Sequence, residues 1–268
     1  MRTAVSRRRW WFRRSWIVGA ALLGSAGIGA AWVAAERSAT ASCREFALPD
    51  TEVWLALGQS NAANHAELRY SAGPQVGAFD GRACLAARDP LPGGDGSGGS
   101  LWTPLAQVWV SERRAKRVLV AVTAQAATPI ADWAPGSHLH RRALQTIDAL
   151  ERRGLRVTRI LWIQGEADAI LGTNGDLYGR GLSAALEPLH RRSGAPIFLP
   201  LVSRCGDAAS PAIRAAQERV IADHGWALPG PDLDQVGPEQ RYERCHLNRS
   251  GQVEAVALWR AALRETGI

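Results

Sequence analysis

Val53-Trp54-Leu55-Ala56-Leu57-Gly58-Gln59-Ser60-Asn61 is the stretch from which the fold is read. Five consecutive apolar residues ended by a glycine mark a strand covered on both faces, because a half-exposed strand would alternate apolar with polar. Three more runs repeat the pattern: Val118 to Val122, Ile160 to Ile163, and Ile197 to Val202. Segments of helical periodicity lie between and after them, at about 101–115, 138–153, 176–192, 209–224 and 250–265. In the last, Val253, Val256, Trp259 and Leu263 recur at the spacing of one helix face. Alternation of strand and helix predicts a parallel α/β sheet with right-handed crossovers. Function in such sheets gathers at the carboxyl ends of the strands. Residues 89–100, rich in Gly and Pro, read either as a flexible linker or as a loop beside the site.

The 268 residues carry 32 bases and 25 acids, a formal charge of +7. The distribution removes a nucleic-acid reading. Arg2, Arg7, Arg8, Arg9, Arg13, Arg14 and Arg37 fall in the first 41 residues against Glu36 alone, and the remainder holds 25 bases and 24 acids. A surface that tracks phosphates needs bases clustered on one face, so no nucleic-acid partner is expected. The arginines precede an uncharged apolar stretch, residues 16–35, and then Ala39-Thr40-Ala41. That is the pattern of an export signal, and its 20 residues are also long enough to span a bilayer. Residues 1–41 are therefore expected to be a signal peptide or an N-terminal membrane anchor, and 42–268 a single domain. The basic flank would place that domain outside the cytoplasm, either exported (periplasmic or secreted) or held at the cytoplasmic membrane. Cys43, Cys84, Cys205 and Cys245 in an exported chain suggest disulfides, with three pairings open. No Cys-x-x-Cys spacing exists, so no metal is expected. His138-Leu139-His140 opens a helix, where residues two apart do not share a face, and reads as surface.

Three short segments carry chemistry. Gly58-Gln59-Ser60-Asn61 follows the first strand, Gln164-Gly165-Glu166-Ala167-Asp168 the third, and Glu243-Arg244-Cys245-His246 precedes the last helix. A serine on a tight turn at a strand's carboxyl end presents its hydroxyl outward, and the turn after it offers unpaired backbone N–H groups. A histidine can take the hydroxyl proton, and a carboxylate three residues earlier can orient the imidazole. Gln164 is expected to aim its amide at an oxyanion. Asn61, Gln59, Gly165 and Glu166 are expected to support the turn and its loops.

At these residues the chain resembles the SGNH hydrolases, and more closely the sialate O-acetylesterase-like carbohydrate esterases, over roughly residues 50–265. The resemblance implies a three-layer α/β/α sandwich around a mainly parallel five-stranded sheet, and acyl-ester hydrolysis without metal or cofactor. It makes 42–268 an esterase domain with an acetylated carbohydrate as substrate. Ser60 matches the nucleophile, His246 the general base and Glu243 the acid. The oxyanion donors would be the Ser60 N–H, a backbone N–H at Ala127 and Gln164. Three departures stand out: Glu243 where Asp is usual, Ala126-Ala127-Thr128 where Gly-Gly-Thr is usual, and Ile163 where His is frequent. An alanine keeps the backbone donor at negative φ but not comfortably at positive φ. A general SGNH esterase or thioesterase on small acyl or lipid esters, and a carbohydrate-binding pseudoenzyme, are the other readings. Cys205 follows the fourth strand and Cys245 abuts His246, so Cys205–Cys245 is the preferred bridge and Cys43–Cys84 the remaining one.

Overall fold

The structure is a computed structural model and describes residues 40–206 and 209–266. The expected signal or anchor run, residues 16–35, lies outside the described residues. Among the described residues no helix is long and apolar enough to cross a membrane. In chain order the elements are β1 (Thr40–Ala41), α1 (Cys43–Phe46), β2 (Thr51–Gly58), β3 (Val76–Phe79), β4 (Cys84–Ala86), α2 (Trp102–Ser111), β5 (Arg117–Ala124), α3 (His138–Glu151), β6 (Arg159–Ile163), α4 (Glu166–Leu171), α5 (Gly175–Ser193), β7 (Ile197–Leu201), α6 (Pro211–Asp223), β8 (Ala227–Asp232), β9 (Arg241–Tyr242), β10 (His246–Leu247) and α7 (Arg249–Glu265).

One sheet runs β1-β4-β3-β5-β2-β6-β7-β8. Every pair from β3 to β8 is parallel, while β4 and β1 are added antiparallel at one edge. The mainly parallel α/β/α sandwich is as expected, but among the described residues the sheet has eight strands rather than five. The extra strands escape periodicity because they are short (β1, β3, β4) or broken by Pro229, Gly230 and Pro231 (β8), residues that a sheet tolerates at an edge.

The continuous apolar runs pay into two cores because successive side chains point to opposite faces. Val53, Leu55 and Leu57 of β2, with Leu119 and Ala121 of β5, pack toward α3, α5 and α6. Trp54 and Ala56, with Val118, Val120 and Val122, pack toward α2 and α7. His140 belongs to the first side: it is 3 % exposed, and burial lowers its pKa. The surface reading of this histidine is thereby corrected, since the helix turns it inward while its neighbour His138 stays exposed. β2 lies at the middle of the sheet, with β5 on one side and β6 on the other. The chain thus winds away from β2 in both directions, and the crevice of a doubly wound sheet opens at such a reversal.

The Gly/Pro-rich stretch is a packed loop. Asn64 brackets it, donating from Nδ2 to Leu91 O (2.9 Å) and Gly94 O (3.0 Å) and accepting the Leu91 N–H at Oδ1 (2.7 Å). Asp89, buried, accepts from the Tyr70 and Ser100 N–H groups and from the Ser100 and Thr103 hydroxyls. At Gly99 a Cβ would stand 1.6 Å from Leu68 O. Gly99→Ala should therefore lower unfolding free energy by about 3 kcal/mol, as forced overpacking does. Gly225→Ala, with open space around it, should stay within about 0.5 kcal/mol of the parent. Urea denaturation of both variants checks the contrast.

Candidate active site

Two glycines set the floor of the crevice. Gly58 ends β2 at φ +132°, and a Cβ there would lie 1.9 Å from Ile163 O. Gly165 follows β6 at φ +153°, where a Cβ would lie 2.2 Å from Val202 O. Both positions need the missing side chain, because L residues rarely adopt that backbone and neighbouring carbonyls occupy the space. The close approach lets the Gln59 N–H bond to Ile163 O at 2.9 Å, so the turn after β2 leans on the end of β6. Ser60 then opens a single helical turn, Ser60–Ala62. Gln59 accepts the Ala167 N–H at 3.2 Å and the Gly165 N–H at 3.5 Å through Oε1, tying that turn to the start of α4.

His246 arrives from the other side of the crevice on the β9–β10 ribbon, in register with Tyr242. Its Nδ1 is 3.2 Å from Glu243 Oε2. The chain makes the three-residue step with Glu243 (φ 49°) and Arg244 (φ 69°) both left-handed. Arg241 holds this loop from inside, donating to Val236 O (3.1 Å), Leu233 O (3.0 Å) and Cys245 O (2.7 Å). Asn61 reaches the same Cys245 carbonyl at 3.2 Å and Glu166 Oε1 at 2.9 Å. The structure pairs Cys205 with Cys245 and Cys43 with Cys84.

Ser60, Ala127, Glu243 and His246 line one cavity of about 380 Å³, together with Ile170 and Leu171. Ala126, Ala127 and Ala167 complete an apolar wall, and Ile170 and Leu171 are 65 % and 66 % exposed at its lip. Among the described residues no group of three His, Cys, Asp or Glu could hold a metal ion.

Gln164 is not brought to this cavity. Its side chain is fully buried, and its amide N–H₂ donates to Thr128 O (3.2 Å) and Asp168 Oδ2 (2.5 Å). The expected oxyanion role is corrected: Gln164, the residue after β6, is turned into the interior, where Asp168 and the Ile130 N–H close a buried network. Ala127 has φ 56°, the conformation in which an alanine is strained. Its turn is pinned by the Gln125 N–H on Gly58 O (3.0 Å), the Thr128 hydroxyl on Gln125 O (2.8 Å), and the Ala126 N–H on Asp95. His65 and Asp95, close to His246, carry no sequence signal. They belong to no motif, and only the packing of the glycine-rich loop brings them there.

Burial displaces several ionisable groups here, His246 and Glu166 among them. Burial lowers the His246 pKa, opposed by the hydrogen bond it donates to Glu243, with His65 adding to the lowering. Burial raises the Glu166 carboxyl above its ordinary 4.5, with the Asn61 hydrogen bond acting against it.

Residues 50–257 match the family model described as carbohydrate esterase, sialic acid-specific acetylesterase. Among solved structures, a protein from Arabidopsis thaliana is similar with a TM-score of 0.66 at 16 % identity, over 81 % of this chain and 99 % of that one. A carbohydrate acetylesterase from Xanthomonas citri gives 0.52 at 16 % identity, over 80 % and 56 %. An acetylxylan esterase from Geobacillus stearothermophilus gives 0.51 at 13 % identity, over 81 % and 94 %. At these identities the likeness establishes the fold. No curated protein matches the chain.

The raised Glu166 pKa has a consequence for stability. Below its unfolded value of 4.5 the carboxyl is protonated in both states. As pH rises from there through the folded value, the unfolded chain sheds its proton first and stability falls. Glu166→Gln keeps an oxygen for Asn61 and removes this decline. Urea unfolding across the pH range should find the variant at least as stable as the parent at pH 8; a less stable variant there contradicts the account.

Proposed function

With residues 50–257 this chain belongs to the family of sialic acid-specific acetylesterases among the carbohydrate esterases, and from that premise we propose that it removes O-acetyl groups from carbohydrate through Ser60, His246 and Glu243. The observation that carries the reading is that Ser60 and His246 open into one cavity while Glu243 occupies the Nδ1 side of the imidazole.

With Nδ1–H donated to Glu243, Nε2 keeps its lone pair and takes the Ser60 proton. Ser60 Oγ attacks the acetyl carbonyl, and the tetrahedral oxyanion is held by the Ser60 and Ala127 N–H groups. The intermediate collapses as His246 returns the proton to the leaving sugar oxygen. Water, activated by the same imidazole, then attacks the acetyl-enzyme and releases acetate. The two disulfides fit an oxidising compartment, and we assign residues 1–41 to export or anchoring and the remainder to a single esterase domain.

Acetate release from a panel of acetylated xylans, other acetylated polysaccharides and O-acetylated sialic acids tests the reading, with Ser60→Ala as control. The parent should release acetate and Ser60→Ala should lose at least about 10³ of kcat. A Ser60→Ala protein as fast as the parent removes the assigned nucleophile, and binding of acetylated sugar by both without hydrolysis establishes a pseudoenzyme. The acid limb of kcat/KM should fall below pH 6.5, the ordinary histidine value that burial lowers. Glu243→Gln, which removes the contribution that raises the His246 pKa, should move that limb lower still. It should cost less than about tenfold in rate, because the carboxylate is 71 % exposed and screened by water.

A second reading, hydrolysis of simple acyl esters, has one observation behind it: the apolar wall of Ala126, Ala127, Ala167, Ile170 and Leu171. On the main reading that wall receives the apolar face of a sugar ring. p-Nitrophenyl esters of increasing chain length separate the two. The main reading expects kcat/KM to fall from acetate to octanoate, and a rise over that series favours the second.

A further inference from the structure

The glycine-rich loop places one carboxylate between the two halves of the site. Asn64 donates its backbone N–H to Asp95 O at 2.9 Å, and the Asp95 N–H reaches Ala124 O at 3.3 Å. At Gly96 a Cβ would come within 2.5 Å of Asn64 O and 2.7 Å of His65 Nε2. The loop can therefore lie against the chain that follows Ser60 only because that side chain is missing. Asp95 is fixed at this contact. Its two carboxylate oxygens accept the Ala126 N–H at 3.1 and 3.0 Å, and Oδ1 is 3.2 Å from His65 Nε2.

His65 in turn faces His246. The ring centroids are 4.9 Å apart with planes inclined by 31°. Tyr242 packs on His246 at 5.6 Å, and its hydroxyl donates to His65 O at 2.5 Å. The imidazole of His246 is thus in contact with the rings of both His65 and Tyr242. Asp95 touches both the ring behind it and the turn that carries the Ala127 N–H.

We propose that Asp95 is a positioning residue for the acyl transfer: through His65 it sets the plane of the His246 ring, and through the Ala126 N–H it sets the direction of the Ala127 donor. The inference rests on the reading of Ser60 and His246 given above. Asp95 is 42 % exposed and His65 22 % exposed at their side chains, so the contact adds little to stability. Its effect should appear in turnover, where a displacement of about 1 Å in a reacting group costs up to about 10² in rate.

The test compares the parent with Asp95→Ala, Asp95→Asn, His65→Phe and the Asp95→Ala/His65→Phe double variant. Kinetics use an acetyl ester, and urea midpoints monitor folding. Asp95→Ala should lower kcat by about 10- to 100-fold with KM within about threefold and an unchanged midpoint. Asp95→Asn retains an oxygen for the Ala126 N–H and should recover most of the loss. His65→Phe keeps a ring against His246 without the hydrogen bond, so the double variant should fall short of the product of the two single effects. A kcat within twofold of the parent in Asp95→Ala, or a loss that follows the unfolded fraction, overturns the proposal.

A second readout does not need turnover. In the Ser60→Ala background, the Hε1 resonance of His246 should shift on Asp95→Ala, as the neighbouring His65 ring moves. An unmoved resonance overturns the proposal whether or not the parent hydrolyses any ester. A parent inactive on every acetyl ester would instead dispose of the reading of Ser60 and His246, and the resonance would still decide the link from Asp95 to the ring.

Discussion

The carbonyl of Cys245 joins the two sides of the crevice. Asn61, one residue after Ser60, donates to it at 3.2 Å, and Arg241 donates at 2.7 Å. His246 is the next residue in the chain, so its backbone is located by a hydrogen bond from the serine turn itself. The same Asn61 amide also binds Glu166, which begins α4. A buried guanidinium and a buried carboxylate thus face each other across an asparagine and a carbonyl. Each is costly alone: burial lowers the Arg241 pKa and raises that of Glu166, and each opposes the other's shift. Their attraction is the smaller effect for both, so each pKa stays displaced in the direction that burial sets.

From this constraint the remaining geometry follows by contact. Gly58 and Gly165 let β2 and β6 approach closely enough for Gln59 to bond across them. Gln59 then fixes the first residues of α4, and α4 supplies both Glu166 below and Ile170 and Leu171 at the cavity lip. Ile170 and Leu171 lie in the last turn of this short helix and are largely exposed among the described residues. Ala127, which lines the cavity, gives up some backbone ease at φ 56°. It is kept there by three flanking hydrogen bonds, on Gln125, Ala126 and Thr128, which is how strain persists at functional turns.

The four central strands were legible because burial on both faces writes an unbroken apolar run. Val53 to Leu57 and Ile160 to Ile163 fall inside β2 and β6. β3 and β4, with four and three residues, are too short to leave a period, and β8 is masked by two prolines and a glycine. The serine turn and the histidine loop were legible as residue types at strand ends. The direction of a side chain was not. Gln164 stands in the motif but is turned below the cavity, whereas His65 and Asp95 stand in no motif and reach His246 through loop packing. Spacing along a chain reports which element a residue belongs to. It does not report which loop from elsewhere will close over it.

The histidine's support is the point at which charge and packing can be weighed against each other. Glu243 is at hydrogen-bond distance from Nδ1, but its carboxylate is 71 % exposed and the imidazole 18 % exposed. In that setting water screens the charge, and an ionic contact of this kind is weak. The ring is constrained more by the rings packed beside it: His65 at 4.9 Å and Tyr242 at 5.6 Å, themselves joined by the Tyr242 hydroxyl on His65 O. Burial lowers the His246 pKa more than Glu243 raises it, so the ring is kept neutral by desolvation and kept in place by packing. An acid longer by one methylene than the usual aspartate can stand at position 243 because little of the orientation depends on it.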